Sequence, residues 1–347
     1  MIPVFDGHND TLLMHLADPT RDFFARHEDG HLDYARAREG GVVGGFFAVW
    51  TPSAPLPEKY KDISEGRDLP VAPAGAVDIA VARAHADRCV AQLLAWDADP
   101  EDRFRLVKSA AELERAFDDG VMAGIMHFEG AEAIGPDLLA LDTYYAAGLR
   151  SLGPVWSRPN LFGFGVPFLF PSSPDVAPGL TPHGRALVRR CNELGIMLDL
   201  SHMTERGFWD VAELSEKPLV ATHSNAHAVC PSPRNLTDEQ LAAVKASDGV
   251  VGLNYNTSFL HPEGKRETDM PLDVMVRHVD HLVDTLGIDR VALGSDFDGA
   301  TMPDAVKDVA HVPNLMNALA QAGYDDESLR KIGYLNWLRV LRLTWGE

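Results

Sequence analysis

Eight short apolar runs, separated by stretches of helical or loop-like pattern, constrain this chain more than any other feature of its sequence. They are 2–8 (IPVFDGH), 42–50 (VVGGFFAVW), 121–130 (VMAGIMHFEG), 149–156 (LRSLGPVW), 195–202 (GIMLDLSH), 218–224 (PLVATHS), 249–256 (GVVGLNYN) and 291–299 (VALGSDFDG). Near-continuous apolar character suits strands of a parallel sheet covered on both faces. Helical patterns lie between them over 75–96, 109–118, 183–194, 204–214, 237–246 and 272–286. Several open on a cap followed by acids, as with Thr237 before Asp238 and Glu239, or Ser109 before Glu112. Strands and helices in this alternation predict a (β/α)8 TIM barrel, with a doubly wound open sheet as the alternative. No repeat, low-complexity tract or long linker divides residues 1–347, so one domain is expected. The stretch 51–73 reads as a long loop after the second strand. Segments 157–182 and 257–271 read as further loops, and 313–344 as closing helices.

The polar residues gather where most of the runs end. The first run ends in Asp6, His8 and Asp10, the third in His127 and Glu129, the fifth in His202, the sixth in His223, and the eighth in Asp296 and Asp298. A barrel brings the C-terminal ends of its strands to one face. Residues far apart in sequence thus converge into a candidate metal-ligand set of imidazoles and carboxylates. His8 and Asp10 stand two apart, on the same side of a strand, and can grip one ion. Glu129 has two oxygens with which to bridge to a second ion, completed by His202 and His223. Two ions about 3.5–4 Å apart would hold a bridging hydroxide and polarise a carbonyl together. Nitrogen and carboxylate donors without thiolate fit Zn2+ best, two per chain, with manganese or cobalt as alternatives. A lone histidine at a strand end is more often a packing or capping residue, and His127, His183 and His227 are read that way. Asp298 is read as shaping the turn before Gly299.

Composition excludes several functions. The net charge of −20, with no basic cluster, argues against nucleic acid, whose phosphates must be neutralised by Lys and Arg. Three cysteines without a C-x-x-C pair argue against disulfides and thiolate metal sites. No apolar run approaches the roughly 18 residues of a membrane span, and the reactive residues begin too early for a signal peptide. A cytoplasmic protein without nucleic-acid or membrane partners is expected.

Five pieces, DGHND (6–10), FEG (128–130), DLSH (199–202), HSNAHAVCPSPRN (223–235) and GSDFDG (294–299), make the sequence resemble the membrane dipeptidase family, peptidase family M19. They span nearly the whole chain. The resemblance implies a barrel of the metal-dependent hydrolase type, hydrolysing dipeptides and often tolerating a D-residue at the C-terminal position. It implies two zinc ions, one on His8 and Asp10, one on His202 and His223, with Glu129 between them. Arg234 matches the arginine that grips the substrate carboxylate, and Asp296 the acid beside the bridging water. A homodimer is common in the family. Two departures stand out. The run P-V-W-S-R-P-N places Trp156 where animal members carry an oxyanion-binding histidine, and Asn160 where they carry an asparagine. The segment after Glu129 reads GAEAIG rather than the pattern G-G-H. Another metal hydrolase of the same barrel class (deaminase, lactonase or phosphotriesterase) and a non-catalytic metal-binding barrel are the competing readings. No lysine stands at a strand end to supply the carboxylated bridge that lactonases and phosphotriesterases often use.

Overall fold

The computed structural model describes residues 2–53 and 75–346. Among them, strands occur at β1 (Val4–Asn9), β2 (Val42–Trp50), β3 (Phe104–Leu106), β4 (Met122–Glu129), β5 (Leu149–Gly153), β6 (Met197–Leu198), β7 (Val220–Ala221), β8 (Val250–Leu253) and β9 (Val291–Leu293). All pairs are parallel, in two ladders, β1-β2-β4-β5-β6 and β7-β8-β9. Single parallel bridges, Asp199 to Val220 and Asn9 to Phe297, join the ladders at both seams. Eight strands therefore close into the expected barrel, and the open-sheet alternative falls.

The ninth strand is β3, which pairs with β4 over Met122–Gly124, before β5 joins β4 at Met126. Its three residues are too short to show a pattern in the sequence. The runs expected at 195–202 and 218–224 shrink to two paired residues each, because His202 and His223 lie in turns beyond β6 and β7. The helix expected over 75–96 spans Ile79–Asp97, starting where the Asp78 carboxylate accepts from the Ala80 and Val81 amides. The closing segment is broken into helices Val312–Gln321, Asp326–Arg330 and Asn336–Trp345. From residue 54 onward, the loop expected over 51–73 lies outside the described residues.

Side-chain alternation explains how the barrel places its chemistry. On β4, Met122, Met126 and Phe128 join the large outer core beneath the helices, while Ala123 and Ile125 join a smaller inner cluster. That inner cluster also holds Phe5, Phe46, Met197, Val220, Val250 and Ala292. Trp337, from the last helix, plugs it from below and donates its indole N–H to the Leu293 carbonyl at 3.1 Å. Gly7 and Gly252 make room for that ring: a Cβ on them would stand 2.4 and 3.1 Å from Trp337 Cζ2. Continuing inward up β4 by steps of two gives His127 and then Glu129 at the opposite mouth.

Candidate metal centre

The mouth brings together His8, Asp10, Glu129, His202, His223, Asp296 and Arg234, all buried. Glu129 Oε1 is 2.9 Å from His202 Nε2, 3.3 Å from His223 Nε2 and 3.7 Å from His8 Nε2. His8 Nε2 is also 3.4 Å from Asp10 Oδ2, and the His202 and His223 Nε2 atoms are 3.1 Å apart. Donors about 2.0–2.1 Å from a tetrahedral ion stand about 3.3 Å from one another. The observed separations bracket that value. Two ligand groups, His8–Asp10–Glu129 and Glu129–His202–His223, share Glu129, and a third, His8–His223–Asp296, brings Asp296 beside both histidines. The register between β1 and β2 slips between Asp6 and Asn9, the stretch that carries His8.

The ring nitrogens are oriented from behind. Thr222 Oγ1 donates to Asp199 Oδ2 at 2.7 Å and lies 2.7 Å from His223 Nδ1, so it accepts from the Nδ1–H and leaves the Nε2 lone pair facing Glu129. Ser157 Oγ stands 2.7 Å from His202 Nδ1 in the same relation. Asp199 also accepts from the Ser201 and Thr222 amides. Asn254 Nδ2 donates to Asp296 Oδ2 at 2.9 Å. Sequence reading missed Ser157, Thr222, Asp199 and Asn254 as supports. Asp199 lay in the quoted DLSH, and Thr222 immediately precedes His223; their signal was adjacency to the candidate ligands.

Electrostatics make the cluster a poor resting place for these groups alone. Burial pulls the His8 imidazole down, but Glu129, Asp10 and Asp296 outweigh it and push it up to about 10. Burial drives Glu129 well above the usual carboxylate range, aided by Asp10 and Asp296, and raises Asp296 with help from Asp10. His202 and His223 are held well below the usual imidazole range by burial and by the charges of Arg234 and His8. His8 Nδ1 and Nε2 and Asp10 Oδ1 are buried without a hydrogen-bond partner. Converging lone pairs and orphaned donor atoms of this kind fit divalent cations, which hold carboxylates ionised and imidazoles neutral.

Arg234 donates from Nη2 to the His223 carbonyl at 3.0 Å and from Nη1 to Ser224 Oγ at 3.4 Å; its buried Nε has no partner. Trp156 lies 5.8 Å, ring centre to ring centre, from His202. The Asn160 amide is committed to a local turn, donating to the Pro154 carbonyl and accepting from the Phe162 and Gly163 amides. Asp298, at φ 66°, accepts from Thr11 Oγ1 and the His31 amide, both distant in sequence. His127 bonds Ser151 and sits edge-on against His8, while His227 bonds the Ser172 carbonyl.

A closed (β/α)8 barrel with this cluster at its mouth is a metal-dependent hydrolase. Comparison narrows the class. Residues 1–344 match the membrane dipeptidase family, peptidase family M19. A crystal structure of the dipeptidase AC, a metallo peptidase of family M19, superposes with a TM-score of 0.95 at 49% identity, covering 100% of this chain and 99% of that one. A metallo peptidase from Rhodobacter sphaeroides, liganded with a phosphinate mimic of the dipeptide L-Ala-D-Ala, superposes with a TM-score of 0.95 at 48% identity, covering 99% of each. A Klebsiella pneumoniae protein described as an uncharacterized protein in the pqqA 5' region is 51% identical over 256 residues, 74% of this chain and 93% of its own. The chain belongs to the membrane dipeptidase family, M19, and is a metallo-dipeptidase.

Proposed function

We propose that the protein hydrolyses free dipeptides, including those with a D-residue at the C-terminal position, using two zinc ions. His8 and Asp10 would hold one, His202 and His223 the other, with Glu129 between them. The observation that carries this is the sharing of Glu129 by both ligand groups. Bound divalent ions supply Lewis acidity, which lowers the pKa of water and polarises a scissile carbonyl.

The chain's own residues do the rest. Arg234, whose buried Nε has no partner, holds the substrate's C-terminal carboxylate as a fork. Asp296, steadied by Asn254, takes the proton from the attacking water and delivers it to the leaving amine. An arginine anchor close to the ligand cluster limits the enzyme to short peptides, and a fixed orientation contributes to rate as well as affinity. The relative that binds the L-Ala-D-Ala mimic supports the D-residue. The free, buried thiols of Cys89, Cys191 and Cys230 agree with a cytoplasmic location. No described helix is long and apolar enough to cross a membrane.

A panel of L-L and L-D dipeptides, their C-terminal amides and tripeptides, assayed with added zinc, tests the reading. Free dipeptides should be turned over and the amides poorly. Equal turnover of the amides would remove the carboxylate anchor from the account, and equal turnover of tripeptides the limit to short substrates.

A further inference from the structure

A run of rings rims the ligand cluster. Trp50 and Trp156 meet edge to face with centroids 5.2 Å apart, Trp156 meets Phe168 at 5.6 Å, and Phe168 stacks on Phe259 at 6.0 Å. The run touches the site at two points. Trp156 tilts against His202, and the Arg234 guanidinium carbon lies 5.3 Å from the centre of Phe259. Trp50, Trp156 and Phe168 are only partly buried. Large rings left partly open beside a buried polar cluster are characteristic of ligand pockets.

The next step rests on the reading above, in which the scissile carbonyl sits at the ligand cluster and the C-terminal carboxylate at Arg234. Between those two points of a dipeptide lies one residue, the C-terminal one. The rings run between the same two points. We propose that Trp156, Phe168 and Phe259 form the side-chain pocket for the C-terminal residue, and that it selects an uncharged, apolar side chain there.

Charge supports the selection. Arg158 is fully buried behind the tryptophans, its guanidinium carbon 5.2 Å from the centre of the Trp156 ring and 5.7 Å from that of Trp50. All three of its nitrogens are engaged: Nε with Glu132 Oε1 at 2.7 Å, Nη1 with Ser53 Oγ at 2.8 Å and Nη2 with the Thr51 carbonyl at 2.7 Å. Fully buried and already paired with Glu132, it is not placed to meet an acidic side chain of the substrate. Its charge already engages the ring quadrupoles, which disfavours a second cation on them. Because Arg158 bonds residues following β2 and Glu132 following β4, it also holds Trp50 and Trp156 in place as a positioning residue.

The test is kcat/KM of the metal-replete protein on two reciprocal series, Ala-X and X-Ala, with X as Leu, Ala, Lys or Glu in both hands. In the Ala-X series Leu should exceed Ala, Lys and Glu by about tenfold or more, the scale of pocket discrimination between apolar side chains. Phe168→Ala and, separately, Trp156→Ala should bring the Leu-to-Ala ratio towards one in that series and leave it unchanged in X-Ala. Melting temperature checks that each variant is folded, and Phe168, on a loop and partly exposed, is the safer of the two. Preference for Lys or Glu, or a ratio that moves only in the X-Ala series, overturns the proposal while the dipeptidase reading stands. No turnover of any dipeptide overturns that reading and this proposal with it.

Discussion

Asp296 adopts φ 65° and His202 φ 68°, a left-handed backbone that non-glycine residues take at a cost of order 1–3 kcal/mol. Both belong to the site cluster. Asparagine tolerates the left-handed region as well as aspartate, so Asp296→Asn should keep the turn while abolishing proton transfer. Turnover should fall by roughly 10²–10⁴, the worth of a general acid–base group, with metal content and melting temperature little changed. Metal loss in proportion to activity would make Asp296 a ligand or a structural residue instead. Asp298, its neighbour in the motif, accepts from Thr11 and His31, one on each oxygen, and is the next candidate if Asp296→Asn keeps its turnover. Gly299 is required for another reason. A Cβ there would stand 2.0 Å from Asp10 Oδ2 and 2.7 Å from Asp296 Oδ1. Gly299→Ala should therefore push the Asp10 carboxylate aside and lower bound metal in a folded protein, measurable by elemental analysis and far-UV circular dichroism. Full metal content would mean that Asp10 is not a ligand. The sequence showed the glycine only as part of GSDFDG, because its close approach to two carboxylates is a three-dimensional fact.

At the scale of elements, β1, β2 and β4 were legible as long apolar runs, and so were the candidate ligands that end two of them. The seam between β6 and β7 was not, since two residues of pairing leave no periodicity to read. Asp199 makes that seam. It bridges to Val220 and accepts from Thr222 twice and from the Ser201 amide. A buried carboxylate that accepts three hydrogen bonds looks in sequence like any Asp before a Leu. Asp199→Ala leaves those donors unpaired, each costing about 1–3 kcal/mol, and frees the Thr222 hydroxyl that orients His223. We expect a destabilisation of at least about 2 kcal/mol in denaturant unfolding, together with weaker metal binding. A variant with unchanged metal affinity would separate the seam from the site. The Arg158–Glu132 pair was likewise hidden, because its partners Thr51 and Ser53 follow a different strand.

For the whole molecule, the eight-strand alternation in the sequence was enough to give the barrel, and the order of strand ends was enough to give one mouth. What it could not give was the other end, where Trp337 from the closing helix fills the floor over Gly7 and Gly252. Trp337 closes that end, and two ions are proposed to bind at the opposite mouth about Glu129. Zinc should be titrated into metal-depleted protein while bound metal and turnover of an L-D dipeptide are followed together. The account predicts that both rise until two equivalents are bound per chain. Full turnover with one bound equivalent, or turnover without metal, would contradict it.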